Sequence, residues 1–170
     1  FCPNGADSAE DDNGHGTHVS GIISSAGVLS PVGVARNTRI HTVKVLDSSN
    51  GFSSSSIIIE ALDHIINNLP QVNLVNMSLG TYDRFESFCD DQYVYTRAFA
   101  NVINTLRERG TLSFVASMNN ASSNSISAPA CIANAISVGA VWDTDPYSYN
   151  GECFESNPTP DHMACFSNSS

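Results

Sequence analysis

At 170 residues and 41% apolar content the chain is long enough for one domain with a real core. Its 7 basic and 17 acidic residues give a net charge of −10, which argues against nucleic acid, because phosphate binding wants clustered Lys and Arg. No stretch approaches the roughly 20 apolar residues that span a bilayer, so no membrane partner is expected.

The chain begins at Phe1 rather than Met, so the lack of a visible leader carries no weight. Cys2, Cys89, Cys131, Cys153 and Cys165 show no CxxC or other zinc spacing. That pattern favours disulfides in an oxidising, extracellular compartment over a metal cluster. The odd count leaves at least one cysteine without a partner in the chain.

Residues 1–14 are polar and turn-rich and read as a surface loop. A short helix is expected over 15–26, with Val19, Ile22 and Ile23 on its apolar face. Its Gly and Ser content predicts close packing against it. Pro31 to Ala35 is a connection, and Ile40 to Leu46 reads as a buried strand. Asp47 to Ser56 is a loop whose last serines can cap a helix over 57–69. That helix carries Ile58, Leu62, Ile65, Ile66 and Leu69 on one face, and Pro70 stops it.

Val72 to Leu79 is a second strand, followed by an exposed loop over 81–91. Tyr93 to Arg109 is a second long helix with Ala98, Val102 and Leu106 inward and Gly110 as its stop. Leu112 to Ser117 is a third strand, 118–127 a polar loop, and Ala135 to Val141 a fourth strand. The remainder is loop-rich, with a last strand at Met163 to Phe166. Alternating strands and helices predict a parallel α/β sheet, with ligands bound beyond the C-terminal ends of the strands.

The most informative stretch is Asp11-Asp12-Asn13-Gly14-His15-Gly16-Thr17-His18-Val19-Ser20-Gly21. It sets a histidine among small residues where a helix begins. After it come Gly33-Val34-Ala35, Val43-Lys44-Val45-Leu46, Val75-Asn76-Met77-Ser78-Leu79-Gly80 and Ile136-Ser137-Val138-Gly139-Ala140-Val141. In identity and order these segments resemble the subtilisin-like serine peptidases, the subtilases. The likeness covers nearly the whole chain. It implies a parallel-sheet, three-layer α/β/α fold and places residues 1–170 as part of one peptidase domain, incomplete at both ends.

The resemblance also implies roles. His15 is the general base that takes a proton from a serine and returns it to the leaving amine. His18 is not that base and is expected to pack or hydrogen-bond within its helix. Ser78, Leu79 and Gly80 form the edge that pairs with an extended polypeptide substrate by strand addition. They also form one wall of the primary specificity pocket, with Ala116, Ser117 and Met118 as the other. Asn119 is the oxyanion-hole asparagine, with Asn120 as its rival. A donor of this kind is worth about 3 kcal/mol, a magnitude measured on subtilisin and carried over with the resemblance. The family has Gly where Met118 stands, and a bulky side chain there could crowd the pocket or the oxyanion.

Two motifs of the family do not occur in this sequence: the Gly-Thr-Ser-Met-Ala of the nucleophile and the upstream Asp-Ser/Thr-Gly of the catalytic aspartate. Asp11 and Asp12 stand too close to His15 to replace the latter. The expectation is therefore a secreted serine endopeptidase, working through an acyl-enzyme, of which these 170 residues alone are inactive. The alternative is an inactive secreted subtilase-like module that binds peptides. Beside the sheet position left without its first strand, open edges should favour aggregation.

In related proteins the loops carrying Cys89 and Cys131 can meet, so those two are expected to pair. Cys153 and Cys165 flank a Pro-containing loop and form the second expected pair, leaving Cys2 over, with its partner expected upstream. Cα separations above about 7 Å would exclude either bridge. A metal reading of the His15–His18 pair with Asp11 and Asp12 lacks a third ligand at recognisable spacing. His41, His64 and His162 read as ordinary strand, helix-surface and loop residues. Calcium occurs in the family, but no site is assigned and no cofactor is expected. A monomer is expected. Asn76, Asn120 and Asn168 each begin an N-x-S sequon, the first of them inside a core strand.

Overall fold

A computed structural model describes residues 1–143, 148–151 and 153–170. The chain divides into two compact units, residues 1–68 and 69–170.

The first unit holds two helices, α1 (His15–Ser24) and α2 (Ser55–Asn68). The α1 helix buries none of its residues fully, and Ile22 is 56% exposed. The close packing expected on α1 occurs at its C-terminal end. There Val34 and Ala35 donate backbone hydrogen bonds to the carbonyls of Ile22 and Ile23 at 3.0 and 2.7 Å. A side chain at Gly33 would lie 2.5 Å from the Ser25 nitrogen, so only glycine lets the chain fold back so tightly. Gly21 has open space beside it. In α2 the Ser54 hydroxyl accepts the Ser56 N–H at 3.2 Å, the expected serine cap. The buried side chains of α2 are Ile58, Ala61 and Leu62.

Ile40 to Leu46 is not a strand. Its residues are half-buried or exposed, and no ladder runs along it among the described residues. It is held by single bonds instead: Lys44 N–H to the Phe1 carbonyl at 3.1 Å, and the Asn4 amide to the Leu46 carbonyl at 2.9 Å. Apolar spacing reports burial; a strand also needs a neighbour whose N–H and C=O groups are free.

The second unit is built on a three-stranded parallel sheet in the order β1 (Leu74–Met77), β3 (Leu112–Ala116), β5 (Ile136–Val138). The helix α3 (Val94–Glu108) connects β1 to β3 and packs on β3. It buries Thr96, Phe99, Ala100, Val102, Ile103 and Leu106; of the expected Ala98, Val102 and Leu106, Ala98 is only half-buried. Each large apolar side chain buried there contributes about 1.5–3 kcal/mol. Gly110, at φ 84, ends the helix in the left-handed region as its position predicts.

Of the expected strands, those over 72–79, 112–117 and 135–141 are present but shorter. In β1 Leu74 is 60% exposed while Val75 and Met77 are buried, so one face of this strand is open. Two short pieces were not expected from the sequence. Within loops, β2 (Arg84–Phe85) pairs antiparallel with β4 (Ile126–Ser127), which buries Phe85. A hairpin joins β6 (Ser148–Asn150) to β7 (Phe154–Ser156). At Met163 there is a single antiparallel bridge to Val141, not a strand. The loop over 81–91 is thus partly interior, with Cys89 fully buried and bonded to Cys131 across a Cα separation of 5.4 Å. Cys153 and Cys165 form the second bridge at 6.0 Å, and Cys2 is free.

Candidate active site

His15 is the first residue of α1, and the turn that presents it is closed from outside the helix. The residue before it, Gly14, sits at φ 99 and offers no side-chain cap. Asp11 does this work. Its Oδ1 accepts the N–H groups of Gly14 at 2.8 Å and Asn13 at 3.1 Å, and its Oδ2 accepts that of Thr17 at 2.7 Å. Amide groups of a first helical turn have no partner within the helix, and negative charge is favoured there. The Thr17 hydroxyl, then these amides, hold the Asp11 carboxyl far below the ordinary carboxylate range. Asp12 pairs with Lys44 Nζ at 2.7 Å, and the same ammonium donates to the Glu10 carbonyl at 2.7 Å. Both aspartates are therefore engaged in holding the loop and the helix start. The His18 ring is exposed, contrary to the packing expected of it, and its backbone N–H donates to the Gly14 carbonyl at 3.0 Å.

The second unit carries the other candidate residues. The β1 and β3 strands run parallel, and their last paired residues are Met77 and Val115. Ser78-Leu79-Gly80 and Ala116-Ser117-Met118 therefore leave the sheet side by side at its C-terminal edge, where α/β sheets bind ligands. The Thr81 N–H donates to the Ala128 carbonyl at 2.8 Å, fastening the first segment to the loop after β4.

The space between the two segments is not open. Met118 adopts φ 81, a left-handed conformation unusual for a methionine. Its side chain lies against Gly80: a Cβ built there would be 2.8 Å from Met118 Sδ and 2.9 Å from Cγ. Ser117 is buried; its hydroxyl donates to the Asn168 carbonyl at 2.8 Å. Ser117 also lines a cavity of about 270 Å³, whose other walls include Ile126, Gly139 and Asn168 rather than Ser78 to Gly80.

Asn119 follows directly and is exposed. Its flanks are held by a residue that sequence reading noticed only as a sequon. Asn168 is 1% exposed; its Oδ1 accepts the N–H groups of Asn120 at 2.9 Å and Ser122 at 3.2 Å. Its own N–H donates to the Met118 carbonyl at 2.9 Å. No local signal marks this role, because the contact spans 48 residues.

The Subtilase family profile matches residues 2–170. An alkaline proteinase of Hapsidospora chrysogena is 35% identical over 85% of this chain and 34% of its own length. An extracellular serine proteinase of Thermus sp. (strain Rt41A) is 35% identical over 87% of the chain and 33% of its own. Among solved structures, a cold-adapted subtilisin-like serine proteinase superposes with a TM-score of 0.65 at 26% identity, over 94% of this chain and 46% of that one. The chain thus spans about a third of the length of these two curated relatives. With the fold, the motif order and the profile in agreement over nearly every residue, the chain belongs to the subtilase family.

Proposed function

We propose that these 170 residues are the histidine-bearing and substrate-binding part of one peptidase domain, that of a secreted serine endopeptidase acting on polypeptides as a monomer. The observation that carries this reading is the capped start of α1, which fixes the backbone under His15 through three hydrogen bonds to Asp11. A general base must be held in place to take a proton at one defined position. In this reading His15 takes the proton of a serine hydroxyl as that oxygen attacks the peptide carbonyl. It then gives the proton to the departing amine. Asn119, exposed at the end of β3, donates from its side-chain amide to the oxyanion. Ser78 to Gly80 supply main-chain groups to an extended peptide.

Secretion is supported by two disulfides and by the extracellular relative from Thermus. The test is a fluorophosphonate probe on the chain, combined with reading of the adjoining coding sequence. No labelling of residues 1–170, with an Asp-Ser/Thr-Gly encoded upstream and a Gly-Thr-Ser downstream, is the expected result. Labelling within these residues would overturn the role assignment. Flanking sequence without those motifs would favour an inactive peptide-binding protein.

A further inference from the structure

We infer that Met118 closes the side-chain subsite between the two segments at the sheet edge, so that the protein takes peptides with glycine or alanine there and turns away large side chains. This rests on the peptide-binding reading of Ser78 to Gly80.

Three observations carry it. First, the two segments are adjacent by strand register, so any side chain of an edge-bound peptide that points inward must enter between them. Second, that space already holds the thioether of Met118, seated against the bare Cα of Gly80. Third, the Met118 backbone is pinned on both sides. Ser117 N–H donates to the Val138 carbonyl at 2.9 Å, and the Met118 carbonyl accepts the Asn168 N–H at 2.9 Å. With the backbone fixed at φ 81, the direction of the Cβ bond is fixed too, and the side chain is aimed at Gly80. The Gly80 side of the slot is equally constrained, because its Cβ position lies 3.3 Å from the Ala128 carbonyl and Thr81 is bonded to that same oxygen. A large peptide side chain would have to displace Met118, whereas a methyl group or hydrogen would not.

The experiment is an NMR titration of the full chain with two acetylated peptides, Ala-Ala-Pro-Ala-Ala and Ala-Ala-Pro-Phe-Ala. The native chain should prefer the alanine peptide. Met118→Ala keeps a Cβ at the same backbone angle and removes only the side-chain volume. It should raise affinity for the phenylalanine peptide by about tenfold or more and leave the alanine peptide nearly unchanged. A second variant checks the contact itself. Gly80→Ala should perturb the Met118 methyl resonance and lower the unfolding midpoint, and adding Met118→Ala should restore that midpoint. An unchanged preference in Met118→Ala, with both peptides bound, would overturn the inference alone. Failure of both forms to bind either peptide would overturn the peptide-binding reading and the inference with it.

Discussion

Asn168 and Asn120 lie 48 residues apart in sequence and are joined by a 2.9 Å hydrogen bond from the Asn120 N–H to the Asn168 Oδ1. With the bond from Asn168 N–H to the Met118 carbonyl, this brackets Asn119 from both sides. Asn168→Ala would leave the Asn120 and Ser122 amides without their acceptor. Each of these part-buried hydrogen bonds is worth about 0.5–1.5 kcal/mol, so urea unfolding should show a loss of stability, with new mobility at Asn119 in amide relaxation. The same burial predicts that Asn168 escapes glycosylation when the chain is secreted from a eukaryotic host, whereas exposed Asn120 can be modified. Mass spectrometry after deglycosylation in heavy-oxygen water reads both sites.

Asp11 should matter for the order of the helix start. Asp11→Ala removes the acceptor for Asn13, Gly14 and Thr17, so the Thr17 amide should lose its hydrogen-exchange protection. The pH dependence follows from the sign of the shift. The folded carboxyl titrates below its unfolded value, so its contribution is present above the unfolded pKa of about 4 and is lost as pH falls from there toward the folded value. Native and Asp11→Ala chains should therefore differ most near neutrality and draw together in unfolding midpoint only as pH falls from about 4 toward the folded value.

The cysteine arrangement predicts one free thiol within these 170 residues. Under native, non-reducing conditions iodoacetamide should modify Cys2 and leave Cys89, Cys131, Cys153 and Cys165 untouched. Replacing Cys89 and Cys131 by serine opens a 42-residue separation and should cost about 3–4 kcal/mol on chain-entropy grounds. Calorimetry of the double variant measures it.

Phe99 anchors α3, fully buried and in edge contact with the Tyr95 ring at 6.3 Å. Phe99→Ala should lower stability by about 3–5 kcal/mol in denaturant titration. Tyr95 should stay protonated well above the usual tyrosine range, because burial and its hydrogen bond to Asp83 both favour the neutral phenol. A tyrosinate absorbance titration should show this residue among the last to ionise.

Local pattern carried much of the fold. The apolar repeat of Val102 and Leu106 and the stop at Gly110 placed α3, because a helix forms its hydrogen bonds within itself and its sequence records the face it buries. The helix at His15 was legible from the spacing of Val19, Ile22 and Ile23, although the structure buries none of that face fully. The strands were less so. Ile40 to Leu46 has the spacing of a strand but no ladder, and Phe85 lies in a two-residue strand that no short window marks. A ladder partner is a distant segment, and periodicity says nothing about it.

The sequence by itself determined the family, the candidate base His15 and the neighbouring segments Ser78 to Gly80 and Ala116 to Met118. These follow from motif order and from residue types whose chemistry is local. The two disulfide pairs it only suggested through the resemblance, and the structure fixed them. Only the tertiary structure decided that Asp11 caps the helix of His15, that Asn168 braces the flanks of Asn119, and that Met118 lies on Gly80. Each of these depends on a side chain's direction and on what a turn brings within about 3 Å, the range at which hydrogen bonding and steric exclusion act.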